Sequence, residues 1–200
     1  MTGSTTVGLL LAAGAGRRIG GPKALLCDRA GTPFLVRAVS ALLDGGCEEV
    51  LVVLGAGAEE AATLLKGFGL GEDARVATVV ADEWDEGMGA SLRTGLGAAE
   101  GGAAGRALVL LVDLPDVGPE VVREVLQRAP DGPAALARAS YAGRAGHPVL
   151  LGRDHWPGVR ATATGDHGAR DYLRSHPPVL VECGALATGR DVDVPADLNG

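Results

Sequence analysis

The sequence predicts an α/β fold in which a mostly parallel sheet lies between layers of helices. Three observations carry that expectation. Short apolar runs alternate repeatedly with helix-period patterns, as successive βαβ units do. A glycine-rich loop follows the first apolar run at once, as at the carboxyl edge of a parallel strand. The core must be built from Ala, Val and Leu, because 46% of residues are hydrophobic but only 3% aromatic. With 32 glycines, that composition suits close backbone approaches between layers better than an aromatic-rich sandwich.

The elements follow in order. Residues 7–12 form an uninterrupted apolar strand that runs into the loop Leu11-Ala12-Ala13-Gly14-Ala15-Gly16-Arg17-Arg18. Thr32-Pro33 reads as an N-cap with proline at the first helical position, opening a helix through Leu43 that Gly45-Gly46 stops. Residues 49–54 are the second buried strand and 58–66 the next helix. A weaker alternation over 75–80 gives a third strand. The helix over 90–99 is closed off by Gly101, Gly102 and Gly105. Residues 107–112 make a wholly apolar strand with Asp113 at its C-terminal end, and Gly118-Pro119-Glu120 starts a helix to about Arg128. Beyond Asp131 the pattern is less regular. It gives strands over 134–139, 148–151 and 179–182 and a helix over 168–175. With no internal repeat and no low-complexity linker, one domain over residues 1–200 is the economical reading, as a three-layer Rossmann-like sheet with helices on both faces.

Charge and cysteine usage narrow the class. A formal net charge of −7 argues against non-specific nucleic-acid binding, since no surplus of cations exists to displace counterions. It does not forbid an anionic small molecule, which needs only local donors and a metal ion. Cys27, Cys47 and Cys183 are widely spaced and odd in number, so unpaired thiols in a reducing compartment are expected. The first six residues carry no basic stretch, no segment approaches a membrane span, and a cytoplasmic location is the expectation.

A loop rich in Gly and Ala lets backbone N–H groups approach an anion without interference from Cβ atoms. Arg17, Arg18 and Lys23 add positive charge just beyond it; an ordinary βα turn with solvated basic residues is the alternative. Two familiar glycine motifs fail here. Lys23 is followed by Ala24, so the spacing and hydroxyl of a Walker loop are missing. Ile19 stands where a dinucleotide fingerprint needs its third glycine, and Pro22 would break a helix opening there.

What fits is L-A-A-G-x-G-x-R-x-G-x-x-K from Leu11 to Lys23, which resembles the signature of the nucleotidyltransferases with the MobA-like fold. The resemblance extends through Glu86-Gly87-Met88-Gly89-Ala90-Ser91-Leu92, Asp113-Leu114-Pro115, Gly146-His147-Pro148-Val149, Gly165-Asp166-His167-Gly168-Ala169-Arg170 and Asp191-Val192-Asp193-Val194-Pro195-Ala196-Asp197. That ordered set is similar to the molybdenum cofactor cytidylyltransferases. The resemblance implies a MobA-like fold, with Leu11, Ala12, Ala13, Gly14, Gly16 and Arg18 holding a nucleoside triphosphate and Lys23 on its phosphates. It implies Mg²⁺ as cofactor, CTP as the favoured triphosphate, a phosphorylated small-molecule acceptor, and a molybdoenzyme or its chaperone as protein partner. Ile19 replaces a frequent Met, a conservative change. The step Ala12-Ala13-Gly14 resembles the cytidylyl branch, where the guanylyl branch tends toward Ala-Gly-Gly.

The carboxylates complete the expectation. Asp113 ends a strand of pure hydrophobics, so it emerges at the carboxyl edge beside the loop; a turn residue before Leu114-Pro115 is the alternative. A hard cation takes carboxylate oxygens and keeps phosphate and water as its other ligands, so Asp113 can suffice, with Asp193 as a second ligand. Asp191 and Asp193 would share one face of a strand, unless both are solvated edge residues. Gly87 and Ser91 sit at a helix start where N–H groups can meet a phosphate or base, or simply in a flexible loop. His147, Asp166 and Arg170 fall in segments that, by resemblance, face the acceptor. Read alone, they are a packed histidine, an N-cap and a solvated helical residue. No histidine and acid spacing suggests zinc, and the acids at 82, 83, 85 and 86 read as a solvated loop anchored by Trp84.

The reaction so implied is attack of an acceptor phosphate on the α-phosphorus of CTP, with Lys23, Arg18 and Asp113 as the catalytic set. It needs no general base, because a phosphate monoester is already ionised near neutrality. Three alternatives stay open: another base or a sugar-phosphate acceptor, an NAD(P)H-dependent oxidoreductase of the nicotine-blue type, and an inactive binding module.

Overall fold

The computed structural model describes residues 5–192. Among them one sheet of seven strands is found: β1 Thr6–Ala12, β2 Glu49–Leu54, β3 Val76–Val80, β4 Arg106–Leu111, β5 Leu136–Tyr141, β6 Arg144–Gly152 and β7 Val179–Glu182. Their order across the sheet is β3-β2-β1-β4-β6-β5-β7. Only β6 runs against its neighbours, being antiparallel to both β4 and β5, so the other strands share one direction. The expected mixed α/β fold with a mostly parallel sheet is thus the observed one.

Alternation along the strands separates two apolar layers. Along β1, Leu10 and Ala12 enter one core, with α1 (Phe34–Gly45), α2 (Ala58–Gly67) and α4 (Pro119–Arg128). Val7, Leu9 and Leu11 enter the other, with α3 (Met88–Ala99), α5 (Trp156–Thr162) and α6 (Arg170–Ser175). Glycine permits the closest approach. A Cβ on Gly45 would come within 2.4 Å of Val122 Cβ, so α1 and α4 cross at that bare position.

Several boundaries differ from the sequence expectation, each for a local reason. Pro33 is itself the extended residue before α1, at φ −63° and ψ 141°, so the helix begins at Phe34. Gly46, at φ 114°, ends it in the left-handed conformation that a Cβ disfavours. The strand β6 is far longer than 148–151, because exposed Arg144 and Ala145 hide its first half from a hydrophobic pattern. The short α5 was not expected; only Trp156 and Val159 are buried on it. Asp191 and Val192 lie in no strand, which corrects the expected alternation there, and Asp193 lies outside the described residues. Cys27, Cys47 and Cys183 are all unpaired. No described helix is long and apolar enough to cross a membrane.

Topology positions the site. From β1 the chain winds outward through β2 to β3, then returns across to β4 on the other side of β1. The crevice at the carboxyl ends of β1 and β4 is therefore the switch point of the sheet, where ligands bind in open α/β folds.

Candidate active site

The loop after β1 is a knot tied around one glycine. The Gly16 carbonyl accepts from the N–H groups of Ile19, Gly20 and Gly21 at 2.9, 3.0 and 3.3 Å. Gly16 has φ 56°, and a Cβ there would collide with the Gly21 carbonyl, so no other residue fits. Beyond the knot a short 3₁₀ turn, Lys23–Leu25, delivers Lys23 back toward the sheet. Its Nζ donates to Asp113 Oδ2 at 2.8 Å, and each side chain is only 18% exposed.

Asp113 follows β4 by two residues, across the crevice from the loop. Its other oxygen, Oδ1, is buried and has no hydrogen-bond partner among the described residues. A buried carboxylate oxygen left unsatisfied is costly and needs an explanation. A hard divalent cation is the natural partner for such an atom. Among the described residues no group of three or more His, Cys, Asp or Glu side chains could hold a metal, so the other ligands must come from elsewhere. The residues present fit a cation of the Mg²⁺ or Mn²⁺ kind, which retains phosphate and water ligands.

Asp113 also anchors the chain's last described segment. Its carbonyl accepts from Val192 N–H at 3.0 Å. A few residues on, Asp116 Oδ2 accepts from the N–H and hydroxyl of Thr188, both at 2.6 Å, and from Gly189 N–H at 3.2 Å. The segment before Asp193 is thereby laid alongside the metal-type carboxylate.

A cavity of about 370 Å³ fills the crevice. Its floor is Leu11, Leu111 and Val112; one wall is the loop from Ala13 to Arg17 with Lys23. The opposite wall is Trp84, Asp85, Gly87, Met88 and Ser91, closed by Asp166. Gly87, at φ 118°, turns the chain into α3, which starts two residues earlier than its sequence suggests. The turn Gly165–His167 leans on this start so closely that a Cβ on Gly87 would lie 2.6 Å from Asp166 Oδ1. Arg93 on α3 braces the wall, donating to Glu86 at 2.8 Å, Glu83 at 3.3 Å and the Ala163 carbonyl at 2.9 Å. Glu83 and Glu86 are therefore paired rather than simply solvated.

Of the residues expected from sequence, Leu11, Ala13, Gly14, Gly16, Lys23, Gly87, Ser91, Asp113 and Asp166 line this one cavity. Ala12, Arg18, His147 and Arg170 do not. Both Arg17 and Arg18 are exposed, and it is Arg17 that borders the cavity. His147 sits on β6 level with the cavity floor, since the β4–β6 register continues from Val109↔Val149 toward Leu111. Burial, and then the nearby Arg138, push His147 down to about 3, so its imidazole is neutral. Sequence reasoning names Arg17 only for its charge and misses Asp85 and Met88 as lining residues. For Arg17 the positive charge beside the glycine loop is the usable signal.

The family description of the MobA-like NTP transferase domain matches residues 8–179. The chain belongs to that family. Relatives agree with this MobA-like assignment. The nicotine blue oxidoreductase of Paenarthrobacter nicotinovorans is 38% identical over 196 residues, covering 93% of this chain and 91% of that protein. A nucleotidyl transferase from Methanothermobacter thermautotroptrophicus shares the fold with a TM-score of 0.77 at 23% identity, covering 98% of this chain and 94% of that one. Rv0371c of Mycobacterium tuberculosis H37Rv superposes with a TM-score of 0.75 at 26% identity, covering 99% of this chain and 97% of that one. A structure of Rv0371c in complex with manganese also matches, with a TM-score of 0.70 at 24% identity, over 98% of this chain and 97% of that one. In this MobA-like chain the fold frames a crevice with a glycine loop on one side and, among the described residues, a half-satisfied aspartate on the other.

Proposed function

We propose that the protein is a divalent-metal-dependent nucleotidyltransferase that moves a cytidylyl group from CTP to the terminal phosphate of molybdopterin. One observation carries this reading: Asp113 spends one oxygen on Lys23 and keeps the other buried and without a hydrogen-bond partner among the described residues, in a cavity shared with the glycine loop. A site for an anion alone would not put a bare carboxylate oxygen there. A site for a phosphate with its cation would.

The chemistry follows from the chain's own groups. An acceptor phosphate oxygen forms a bond to the α-phosphorus of CTP, the bond from that phosphorus to the β-phosphate bridging oxygen breaks, and pyrophosphate leaves. N–H groups of the Gly14–Gly16 stretch, Lys23 and Arg17 or Arg18 hold the negative charge of the leaving phosphates. Asp113 orients Lys23 through the 2.8 Å bond and offers Oδ1 to the cation, with Asp193 as the second ligand. Mg²⁺, when bound, neutralises phosphate oxygens as a Lewis acid. No side chain needs to act as a base, because the acceptor phosphate is already ionised. His147, Asp166 and Arg170 belong to the acceptor side. The lean toward CTP rests on Ala12-Ala13-Gly14, and toward molybdopterin on the ordered motifs.

The resemblance to nicotine blue oxidoreductase supports a second reading, NAD(P)H-dependent reduction in the same crevice. Pyrophosphate release separates the two. With Mg²⁺ or Mn²⁺, CTP and molybdopterin, pyrophosphate should appear, and Asp113→Asn should slow it on the order of 10²–10³-fold, the usual cost of losing one preorganised electrostatic group. Turnover with no triphosphate, together with tight NADPH binding, would overturn the transferase reading in favour of the reductase.

A further inference from the structure

The wall opposite the glycine loop is made of two pieces of chain. One is the turn Trp84–Glu86 with the first turns of α3, which brings Trp84, Asp85, Gly87, Met88 and Ser91 to the cavity. The other leaves the end of α5 and passes through Ala163 to the turn Gly165–His167, which brings Asp166. They meet backbone against backbone. A Cβ on Gly89 would lie 2.7 Å from Thr164 N, and one on Gly87 2.7 Å from the Gly165 carbonyl oxygen. Glycine permits the approach, but apolar contact is non-directional and fixes no register.

Arg93 supplies the direction. Its guanidinium has one end on each piece: Nη1 donates to the Ala163 carbonyl at 2.9 Å, while Nη2 donates to Glu86 Oε2 at 2.8 Å and Glu83 Oε2 at 3.3 Å. Ala163 is buried just past the end of α5, where carbonyl groups lack helical partners. Among the described residues no other hydrogen bond joins residues 83–93 to residues 163–169. At the far end of α3, Arg160 on α5 pairs with Glu100 at 2.6 Å, so α3 and α5 are tied at both ends. The Arg93 side chain is 28% exposed, and those of Glu83 and Glu86 are 69% and 50% exposed, so these pairs add little to stability. What they add is geometry, because a planar fork fixes the distance between the groups at its two ends.

We infer that Arg93 is a positioning residue for the nucleotide: by holding Glu83, Glu86 and Ala163 on one guanidinium, it sets how far Trp84 and Asp85 stand from Asp166. The inference rests on the reading that the crevice binds a nucleotide. Arg93 is not among the residues lining the cavity, so it acts through the wall and not on the ligand. A displaced wall loses contacts that serve bound substrate and transition state alike, which raises KM more than it lowers kcat. Lysine keeps the charge but gathers it at one point, so it serves one piece of the wall at a time.

The test is calorimetric titration of the full chain with CTP and Mg²⁺, in wild type, Arg93→Gln, Arg93→Lys and the double variant Glu83→Ala/Glu86→Ala. Arg93→Gln should weaken CTP binding about tenfold or more, since ångström-scale misplacement is costly. Arg93→Lys should fall between, and circular dichroism and Trp156 emission should stay those of wild type. The glutamate variant should also bind CTP more weakly, and combining it with Arg93→Gln should add nothing, because the glutamates act through Arg93. Steady-state rates with molybdopterin should place the change in KM. Affinity within about twofold of wild type in Arg93→Gln overturns the inference, and so does full additivity of the two sets of changes. Complete rescue by lysine would reduce the role to charge and overturn the two-ended brace. Should Arg93→Gln fail to fold, the glutamate variant, altered only at exposed side chains, carries the test, and unchanged affinity there overturns the inference. If wild type binds NADPH and not CTP, the transferase reading fails, and the same variants titrated with NADPH still test Arg93.

Discussion

Two adjacent arginines meet the cavity differently, and this difference decides between them. The sequence motif favours Arg18, yet of these two exposed side chains it is Arg17 that lines the crevice. Arg17→Ala should therefore raise the KM for the triphosphate more than Arg18→Ala does. Equal effects would mean that the loop rearranges on binding. His147 offers a second residue-scale prediction, through stability. In the unfolded chain its imidazole protonates near 6.5, and in the folded chain only near 3. Between those values the unfolded state binds the extra proton, so the contribution of a neutral His147 is fully present above about pH 6.5 and is lost as pH falls toward 3. Urea unfolding of wild type and His147→Gln should show a shallower acid loss in the variant. Parallel pH profiles would refute the neutral imidazole. Both residues were quotable from sequence. Their surroundings were not, because which of two neighbouring exposed arginines borders the cavity depends on the Gly16 knot.

At the scale of elements, the contact between α3 and the turn before α6 sets the shape of the cleft. Gly89 lies buried in the first turn of α3, and a Cβ there would come within 2.7 Å of the Thr164 backbone. Helix propensity alone would make Gly89→Ala stabilising by about 0.5–1 kcal/mol. Overpacking against rigid backbone costs about 1–3 kcal/mol, so the clash wins. The variant should melt lower and bind nucleotide more weakly, since Asp166 and Gly87 move apart. A raised melting temperature would show that the turn yields freely. The same scale shows what the sequence could reveal. The strands β1, β2 and β4 announce themselves because, after a polar first residue (Thr6, Glu49 and Arg106), every position is apolar or glycine and most are buried. The helices α1 and α4 are marked by flanking Gly and Pro. By contrast β6 begins among exposed residues, and α5 buries only two side chains, so neither leaves a periodic trace. Glu182 is a further hidden device. Reaching from β7, it accepts from Ser140, Ala142, Gly143 and Gly184 and so fixes the β5–β6 turn, where Ala142 has φ 50°. Nothing in a linear pattern connects positions forty residues apart.

Across the whole molecule, one crossover joins everything the site needs. Because β4 pairs with β1 after an excursion through β2 and β3, the loop at 13–17 and Asp113 face each other, although ninety positions separate Lys23 from its partner. The family resemblance made that meeting legible; composition and periodicity could place each residue at a strand end but not choose the strand order. The two tryptophans allow the site and the fold to be read separately. Trp84 lines the cavity, while Trp156 is fully buried in the layer beneath, its indole N–H held by the Leu151 carbonyl at 2.9 Å. Ligand in the crevice should change the emission of Trp84, and global unfolding should expose Trp156. With CTP and Mg²⁺ at about a hundred times the dissociation constant, binding to the native state alone stabilises by about 2.7 kcal/mol. The melting temperature should rise accordingly in wild type and in Trp84→Phe alike, as read by Trp156. The ligand-induced change in emission at room temperature should vanish in Trp84→Phe and persist in Trp156→Phe. If NADPH gives the thermal shift and CTP with Mg²⁺ does not, the crevice serves a dinucleotide. If CTP shifts the melting temperature while Trp84 emission stays constant, the nucleotide sits elsewhere on the molecule, and the assignment of this cavity fails.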